Sequence, residues 1–177
     1  CFPARRTPLE EPGCFVTQPD WQERLERSLA KPGGRHWAAL FHLGVMHWQA
    51  GRPEQAVQDW KDSCAATENP WARRCLGASA MVENRVDEAV SHLRQAHEAL
   101  PALRPLLYEY LTALLAAMQF DRVLELVAAL PAAWRATGDV RIFEGRALLG
   151  RNDLAGAERV LAEAPISDKM REGESDL

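Results

Sequence analysis

A pattern of small residues recurs four times along the chain, and it constrains the fold more than any other feature. One small-residue position recurs at steps of 33, 34 and 34 residues, as Ala56, Ala89, Val123 and Ala157. A second position recurs in parallel, as Gly44, Gly77, Leu111 and Gly145. Fixed periods of this length mark repeat architectures, in which each unit buries its apolar face against its neighbours. The chain is therefore predicted to be an all-α helical-repeat solenoid of about four helix-turn-helix units.

Residues 39–63 show what one unit contains, namely two amphipathic helices joined by a tight turn. The turn position recurs as Gly51, Asn84, Met118 and Asn152. A glycine inside a helix costs about 1 kcal/mol relative to alanine, so the glycines of the first helices are expected where the second helix crosses closely. Helices are predicted near residues 36–50, 53–67, 70–82, 86–99, 103–117, 120–129, 139–149 and 153–163, with one extra turn at 132–137.

The residues at these positions resemble tetratricopeptide repeats, whose first helix carries Leu-Gly and whose second carries Ala-x3-aromatic. Unit one has Leu43-Gly44, Ala56, Trp60 and Ser63, and unit two has Leu76-Gly77, Ala89, Leu93, Ala96 and Pro101. Unit three departs at Leu111 and Val123, and unit four departs at Glu144. The resemblance covers roughly residues 36–165. It implies a right-handed solenoid and a protein or peptide ligand.

The ends of the chain differ from the repeats. Residues 1–20 contain Pro3, Pro8, Pro12 and Pro19, which exclude a regular helix and indicate an extended arm or the end of a preceding domain. Residues 21–34 are predicted to be a capping helix and linker, with Asp20 as the N-cap and Glu23 completing a capping box. The repeat domain is placed at 35–165, and a polar tail at 166–177.

Composition excludes several classes of function. The 177 residues carry a net charge of −4, which does not fit the clustered basic face of a nucleic-acid-binding protein. No apolar run reaches the 18 or so residues of a membrane span, and we expect a cytoplasmic location. The four cysteines have no CxxC spacing, and Cys64 and Cys75 are expected to be buried inside helices.

No set of residues predicts catalysis or metal binding. His42 and His47 are five residues apart, so they face different directions on a helix, whereas helical zinc pairs use a spacing of four. Nucleophile elbows, phosphate-binding loops and dinucleotide fingerprints are absent from the sequence. The carboxylates fall at positions predicted to face solvent: Glu54, Asp59, Asp62, Glu88, Glu98 and Glu158. We therefore expect no enzyme activity and no cofactor.

The surface that remains is the concave groove that the resemblance implies, lined by the first helix of each unit. Family members that clamp an acidic C-terminus place Lys, Asn and Arg at set groove positions. Here those positions hold Phe41, Val45, Cys75 and Glu109, which argues against that clamp. An apolar groove is predicted instead. It is either a binding surface or is filled by the arm or the capping helix. Its candidate binding residues are Phe41, His42, Trp48, Trp71, Arg74, Tyr108, Phe143 and Arg146.

Three contexts for such a scaffold stay open. The first is a scaffold that binds a separate protein or peptide. The second follows from the runs PDWQERLERSLA, HWAALFHLGVMHWQAG and DKMREGESDL, which look like the repeat-bearing C-terminal tail of large bacterial proteins with an upstream carbohydrate-active domain. The third is a periplasmic lipoprotein scaffold, because the sequence begins with Cys1.

Overall fold

The computed structural model describes residues 7–13 and 17–162, and within these residues it contains ten helices and no strand. The eight repeat helices begin and end within one residue of their predicted bounds, so the all-α repeat fold is confirmed. The helices are α1 Pro19–Leu29, α2 Trp37–Gln49, α3 Pro53–Ala66, α4 Pro70–Val82, α5 Val86–Ala99, α6 Arg104–Ala116, α7 Phe120–Ala129, α8 Ala132–Arg135, α9 Gly138–Gly150 and α10 Leu154–Ala162. The tail at 166–177 lies outside the described residues.

The chain divides into two compact units, each of which is larger than one repeat. We call them unit 1, from Cys1 to Ala113, and unit 2, from Leu114 to Leu177. In unit 1, α2 packs against α3, α3 against α4, and α4 against α5. Helix α1 packs on α2, where Leu25 and Leu29 join a cluster with Ala39, Leu40, Leu43 and Met46. In unit 2, α9 packs against both α7 and α10, and the short α8 forms the predicted extra turn.

Glycine occupies the closest approach between paired helices, as predicted. A Cβ atom built on Gly77 would lie 2.6 Å from the Leu93 Cγ atom of α5, and one on Gly145 would lie 2.8 Å from the Leu161 Cδ2 atom of α10. At Gly44 the added atom would collide with the Trp60 indole of α3. In these three repeats, the bulky residue four positions after the small residue of the second helix therefore fills the space that the glycine leaves.

The predicted turn position has one backbone conformation in all four repeats. Gly51, Asn84, Met118 and Asn152 have φ values of 70°, 57°, 55° and 62°. The next residue in each turn donates its N–H to a carbonyl five residues earlier, at 2.8 or 2.9 Å. This is the Schellman geometry, which satisfies the last carbonyls of a helix and needs a left-handed residue. The repeats therefore share a turn mechanism as well as a helix length.

Two helix starts are capped by side chains, whereas the predicted cap of α1 is wrong. The Asn69 side chain accepts a hydrogen bond from the Ala72 N–H at 2.9 Å, and Asp153 accepts one from Gly156 at 2.9 Å. Helix α1, however, begins at Pro19 with Gln18 as its N-cap, so Asp20 lies inside the first turn and does not form the predicted capping box. The fixed φ of proline suits the first helical position.

Ser63 connects three helices in the interior of unit 1. Its hydroxyl donates to the Trp37 carbonyl of α2 at 2.8 Å and accepts from the Asn69 Nδ2 group at 3.2 Å. Asn69 in turn caps α4. All of these polar atoms are buried and hydrogen-bonded, so they fix the orientation of α4 relative to α2 and α3 without leaving a donor unsatisfied.

We expect Gly77→Leu to destabilise the protein by about 1–3 kcal/mol, because the side chain would overlap Leu93. Urea unfolding followed by circular dichroism measures the effect. Leu93→Ala alone should cost about 2–5 kcal/mol through the cavity it leaves. In the double variant the two changes should compensate in part. Strict additivity of the two free energies would mean that the α4–α5 crossing is not at Gly77.

We expect Met118→Asn to stabilise the protein by about 0.5–1 kcal/mol, because a left-handed conformation strains most L-residues and asparagine tolerates it. The Met118 side chain is 73% exposed, so little packing is lost. The reciprocal change Asn152→Met, in the equivalent turn of unit 2, should destabilise it by a similar amount. Two unchanged midpoints of urea unfolding would contradict the proposed strain.

Candidate functional site

A cavity of about 460 Å³ opens on unit 1, and we call it the aromatic groove. Helix α2 and helix α4 form its long walls, Trp60 of α3 lies at its base, and α6 contributes Glu109. Its volume is within the range of about 300–1,000 Å³ that is usual for ligand sites. The lining residues are Glu11, Pro12, Phe41, Val45, Trp48, Trp60, Trp71, Arg74, Cys75, Ala78, Ser79, Val82 and Glu109.

Three tryptophans, Trp48, Trp60 and Trp71, line the groove. The ring centroids of Trp48 and Trp60 are 5.7 Å apart. The Trp60 indole donates a hydrogen bond to the Phe41 carbonyl at 3.3 Å, which holds its ring against α2. Trp48 and Trp71 are half-buried and pack against a second core cluster of unit 1, which consists of Phe41, Ala56, Trp60, Ala72 and Leu76. The aromatic walls are therefore held in place by the core and still present part of their surface to the groove.

Trp71 has a buried polar atom that lacks a partner. Among the described residues, its Nε1 atom has no hydrogen-bond acceptor. Leaving a buried donor unsatisfied costs about 1–3 kcal/mol.

An ion pair lies at one side of the groove. The Arg74 guanidinium donates from Nε to the Glu109 Oε2 atom at 2.7 Å, and its Nη2 group donates to Oε1. The hydrogen bond to Glu109 raises the pKa of Arg74. Because a guanidinium has five N–H donors, this two-point contact leaves donors for a further acceptor. The pair gives the apolar groove one polar edge.

Cys75 is a structural thiol. Burial raises its pKa to about 12, although the neighbouring Arg74 acts in the opposite direction. A thiol that stays protonated near neutral pH is a poor nucleophile. Cys75 therefore contributes apolar surface to the groove and no covalent chemistry.

The structure brings together half of the sequence-predicted site residues. Trp48, Trp71 and Arg74 line the groove, and so does Phe41, which is only 2% exposed. His42 is equally buried, with its ring edge-on to Phe41 at a centroid distance of 5.3 Å. Tyr108 is half-buried on α6 and is not among the lining residues.

The remaining two predicted residues, Phe143 and Arg146, belong to unit 2. They do not line the cavity of about 350 Å³ that the structure contains there. That cavity is lined by Val127, Ala128, Ala132, Arg135, Ala136, Arg141, Glu144 and Val160. Its two arginines and Glu144 make it more polar than the aromatic groove.

The sequence reasoning missed a buried polar contact beside α1. Asp59, predicted to face solvent, is half-buried, and its Oδ2 atom lies 2.5 Å from the His47 Nδ1 atom. The Glu26 carboxylate of α1 lies 3.8 Å from the other nitrogen of this ring. Burial raises the pKa of Asp59, and the hydrogen bond with His47 offsets part of that shift. The helix phase of Asp59 gave no sign that α2 would cover it.

Residues 7–13 and 17–162 contain no group of three or more His, Cys, Asp or Glu side chains that could hold a metal ion. No helix within those same ranges combines the length and the apolar character that a membrane crossing requires.

The family model of the tetratricopeptide repeat matches three segments, residues 37–58, 70–95 and 138–163. They correspond to the first, second and fourth of the units defined by the sequence period. The third unit, whose small positions hold Leu111 and Val123, lies outside the matched segments. The matched segments cover less than half of the chain, and over them its helix pairs are similar to tetratricopeptide repeats.

Solved structures show the same fold. The chain is similar to MamA AMB-1, with a TM-score of 0.70 and 18% identity over 88% of this chain and 85% of that one. It is also similar to MamA MSR-1, with a TM-score of 0.65 and 17% identity over 80% and 82%. At these identities the likeness concerns the fold alone. No curated protein sequence matches the chain.

The raised pKa of Asp59 predicts a pH-dependent contribution to stability. The folded protein holds this proton more tightly than the unfolded chain does. The stability of the wild type should therefore fall relative to that of Asp59→Asn as the pH rises from about 4 through the raised pKa. Urea unfolding at a series of pH values measures the difference. The exposed Glu54→Gln serves as the control on the same helix. Parallel curves for wild type and Asp59→Asn would contradict the prediction.

Proposed function

We propose that the chain is a non-catalytic scaffold that binds an extended, partly apolar segment of a partner protein in the aromatic groove of unit 1. The observation that carries the proposal is the pair Trp48 and Trp71, which are half-buried against the core while lining an open cavity. Tryptophan and arginine are the residue types that most often anchor protein interfaces. Arg74 completes that set at the polar edge.

The groove suits a peptide because its walls are held before a ligand arrives. Trp60 is buried over Gly44 and hydrogen-bonded to the Phe41 carbonyl, so the α2–α3 pair has little freedom to close or widen. A preorganised site loses less conformational entropy on binding.

The polar edge supports discrimination between ligands. The Arg74–Glu109 pair is half-exposed and satisfied within the protein, so an apolar segment can bind without leaving a charge unpaired. A basic residue placed beside Arg74 would be repelled, whereas an acidic one could use the remaining guanidinium donors. The partner segment is thus apolar with neutral or acidic flanks.

An upstream domain of the same polypeptide is the alternative source of such a segment, because the groove recognises the chemistry of the segment and not its origin. The scaffold role itself does not depend on which of these contexts holds.

The proposal predicts that ligands of the groove depend on Trp71. Peptides of twelve random residues, displayed and selected on the full chain, supply defined ligands whose affinities are measured by calorimetry. We expect Trp71→Ala to weaken them by about 2 kcal/mol, roughly 30-fold, because an interface anchor is lost. Ala78→Glu, at an exposed position in the groove, should weaken them as well without touching the core.

Trp21→Ala is the matched control, because Trp21 is 50% exposed on α1 and lies outside the groove. The selected peptides should bind to Trp21→Ala with the same affinity as to the wild type. Equal affinity for all three variants and the wild type would show that the aromatic groove is not the binding surface.

A further inference from the structure

The N-terminal arm already reaches into the aromatic groove. Residues 7–13 have the sequence TPLEEPG and begin with a turn in which the Glu10 N–H donates to the Thr7 carbonyl at 3.0 Å. Glu11 and Pro12 then line the same cavity as Trp48 and Trp71. Pro12 is buried, whereas Leu9, the more apolar residue, is 58% exposed. Within this arm, the proline is therefore buried at the groove and the leucine is exposed to solvent.

The chemistry of proline explains this preference. Its ring is apolar and rigid, so it can pack on an aromatic surface while losing little conformational entropy, and it has no backbone N–H to be stranded in an apolar groove. Aromatic grooves in unrelated domains use the same property to bind proline-containing segments. After Pro12, Gly13 has a φ of +89°, a conformation that glycine adopts readily.

Glu11 contributes charge complementarity. It lines the groove together with Arg74, whose contact with Glu109 uses two of five donors. An acidic residue directly before the proline therefore carries the charge that the free donors of Arg74 would bind, and the proline supplies an apolar ring for the surface that the tryptophans line. The two features of the pair Glu11-Pro12 correspond to the two features of the site.

We propose that the aromatic groove recognises an acidic residue followed by proline in an extended segment, and that residues 7–13 are its resident, displaceable ligand. The partner is then a protein segment of the same chemistry, and it must compete with the tethered arm. This inference rests on the proposed function and names the ligand class and the regulation of the same site.

Tethering sets the strength of that competition. A short linker holds the arm at a millimolar effective concentration near the groove. A partner segment binds only the fraction of molecules whose groove is open, so its apparent affinity is reduced by that fraction. Weakening the arm should consequently tighten the binding of an outside segment without any change in the groove itself.

The first test uses a capped, labelled peptide with the sequence TPLEEPG as the probe and the full chain as the receptor. We expect Pro12→Asp to bind it at least fivefold more tightly than the wild type, because the resident ligand is released. Leu9→Asp, in the exposed part of the same arm, is the matched control and should bind as the wild type does. Adding Trp71→Ala to Pro12→Asp should abolish the gain. A second probe, in which Gln-Ala replaces the Glu-Pro pair that corresponds to Glu11-Pro12, should bind to Pro12→Asp at least fivefold more weakly than the first probe does.

The second test measures, without any added ligand, whether the arm protects the groove from a small reagent. Cys75 and Pro12 both line the groove, whereas Cys64 lies on α3 and is not among the lining residues. Alkylation by iodoacetamide, resolved by mass spectrometry of the individual cysteines, should be at least fivefold faster at Cys75 in Pro12→Asp than in the wild type. The rate at Cys64 should not change. Saturating TPLEEPG peptide should restore the slow rate.

The outcomes separate this inference from the proposed function. Unchanged Cys75 alkylation together with equal probe affinity in Pro12→Asp and the wild type would overturn the resident arm. No saturable binding of the probe to Pro12→Asp at several millimolar would overturn the acidic-proline ligand. In either case, displayed peptides of other sequence that still require Trp71 would leave the proposed function standing, and loss of all Trp71-dependent binding would remove both.

Discussion

The contact of Trp60 with the bare backbone of Gly44 is the interaction on which unit 1 depends. The absence of a Cβ atom lets the indole reach α2, and the hydrogen bond to the Phe41 carbonyl fixes its orientation. Once Trp60 is placed, Trp48 packs beside it at 5.7 Å and forms the first wall of the groove. The packing that stabilises the repeat is thus the same packing that shapes the candidate site.

The polar interior has a complementary role. Ser63 and Asn69 are fully paired and tie α4 to α2 and α3, so the second wall, which carries Trp71 and Arg74, keeps its place opposite the first. Buried polar groups with all partners present specify one arrangement more than they add stability. The apolar contacts set how closely the helices approach, and this hydrogen-bonded link sets their register.

Most of the fold could be predicted from the sequence because it follows from local periodicity. The spacing of small residues located the crossings at Gly77 and Gly145, and the turn position proved left-handed even where it holds Met118. The predictions were wrong where a tertiary contact determines the burial of a side chain or where a neighbouring proline determines the start of a helix. Asp59 is covered by His47 of another helix, and Pro19 starts α1 one position before the favoured cap at Asp20. The register identified Trp48, Trp71 and Arg74, but it could not show which groove residues are core, because Phe41 occupies an equivalent phase and is buried.

The sequence left open whether the groove binds a partner or is filled by the chain itself, and the structure shows why these alternatives are not exclusive. Within residues 7–13, Pro12 is the one buried residue and Glu11 and Leu9 are exposed, so this segment lines the groove without filling it as a core. A sealed core would have drawn in the leucine, since burial of a large aliphatic side chain contributes more free energy than burial of a proline ring. The shallow insertion of the arm is what a reversible occupant of a recognition site requires, and it leaves the tryptophans half-exposed for a segment that makes the same contacts over a greater length.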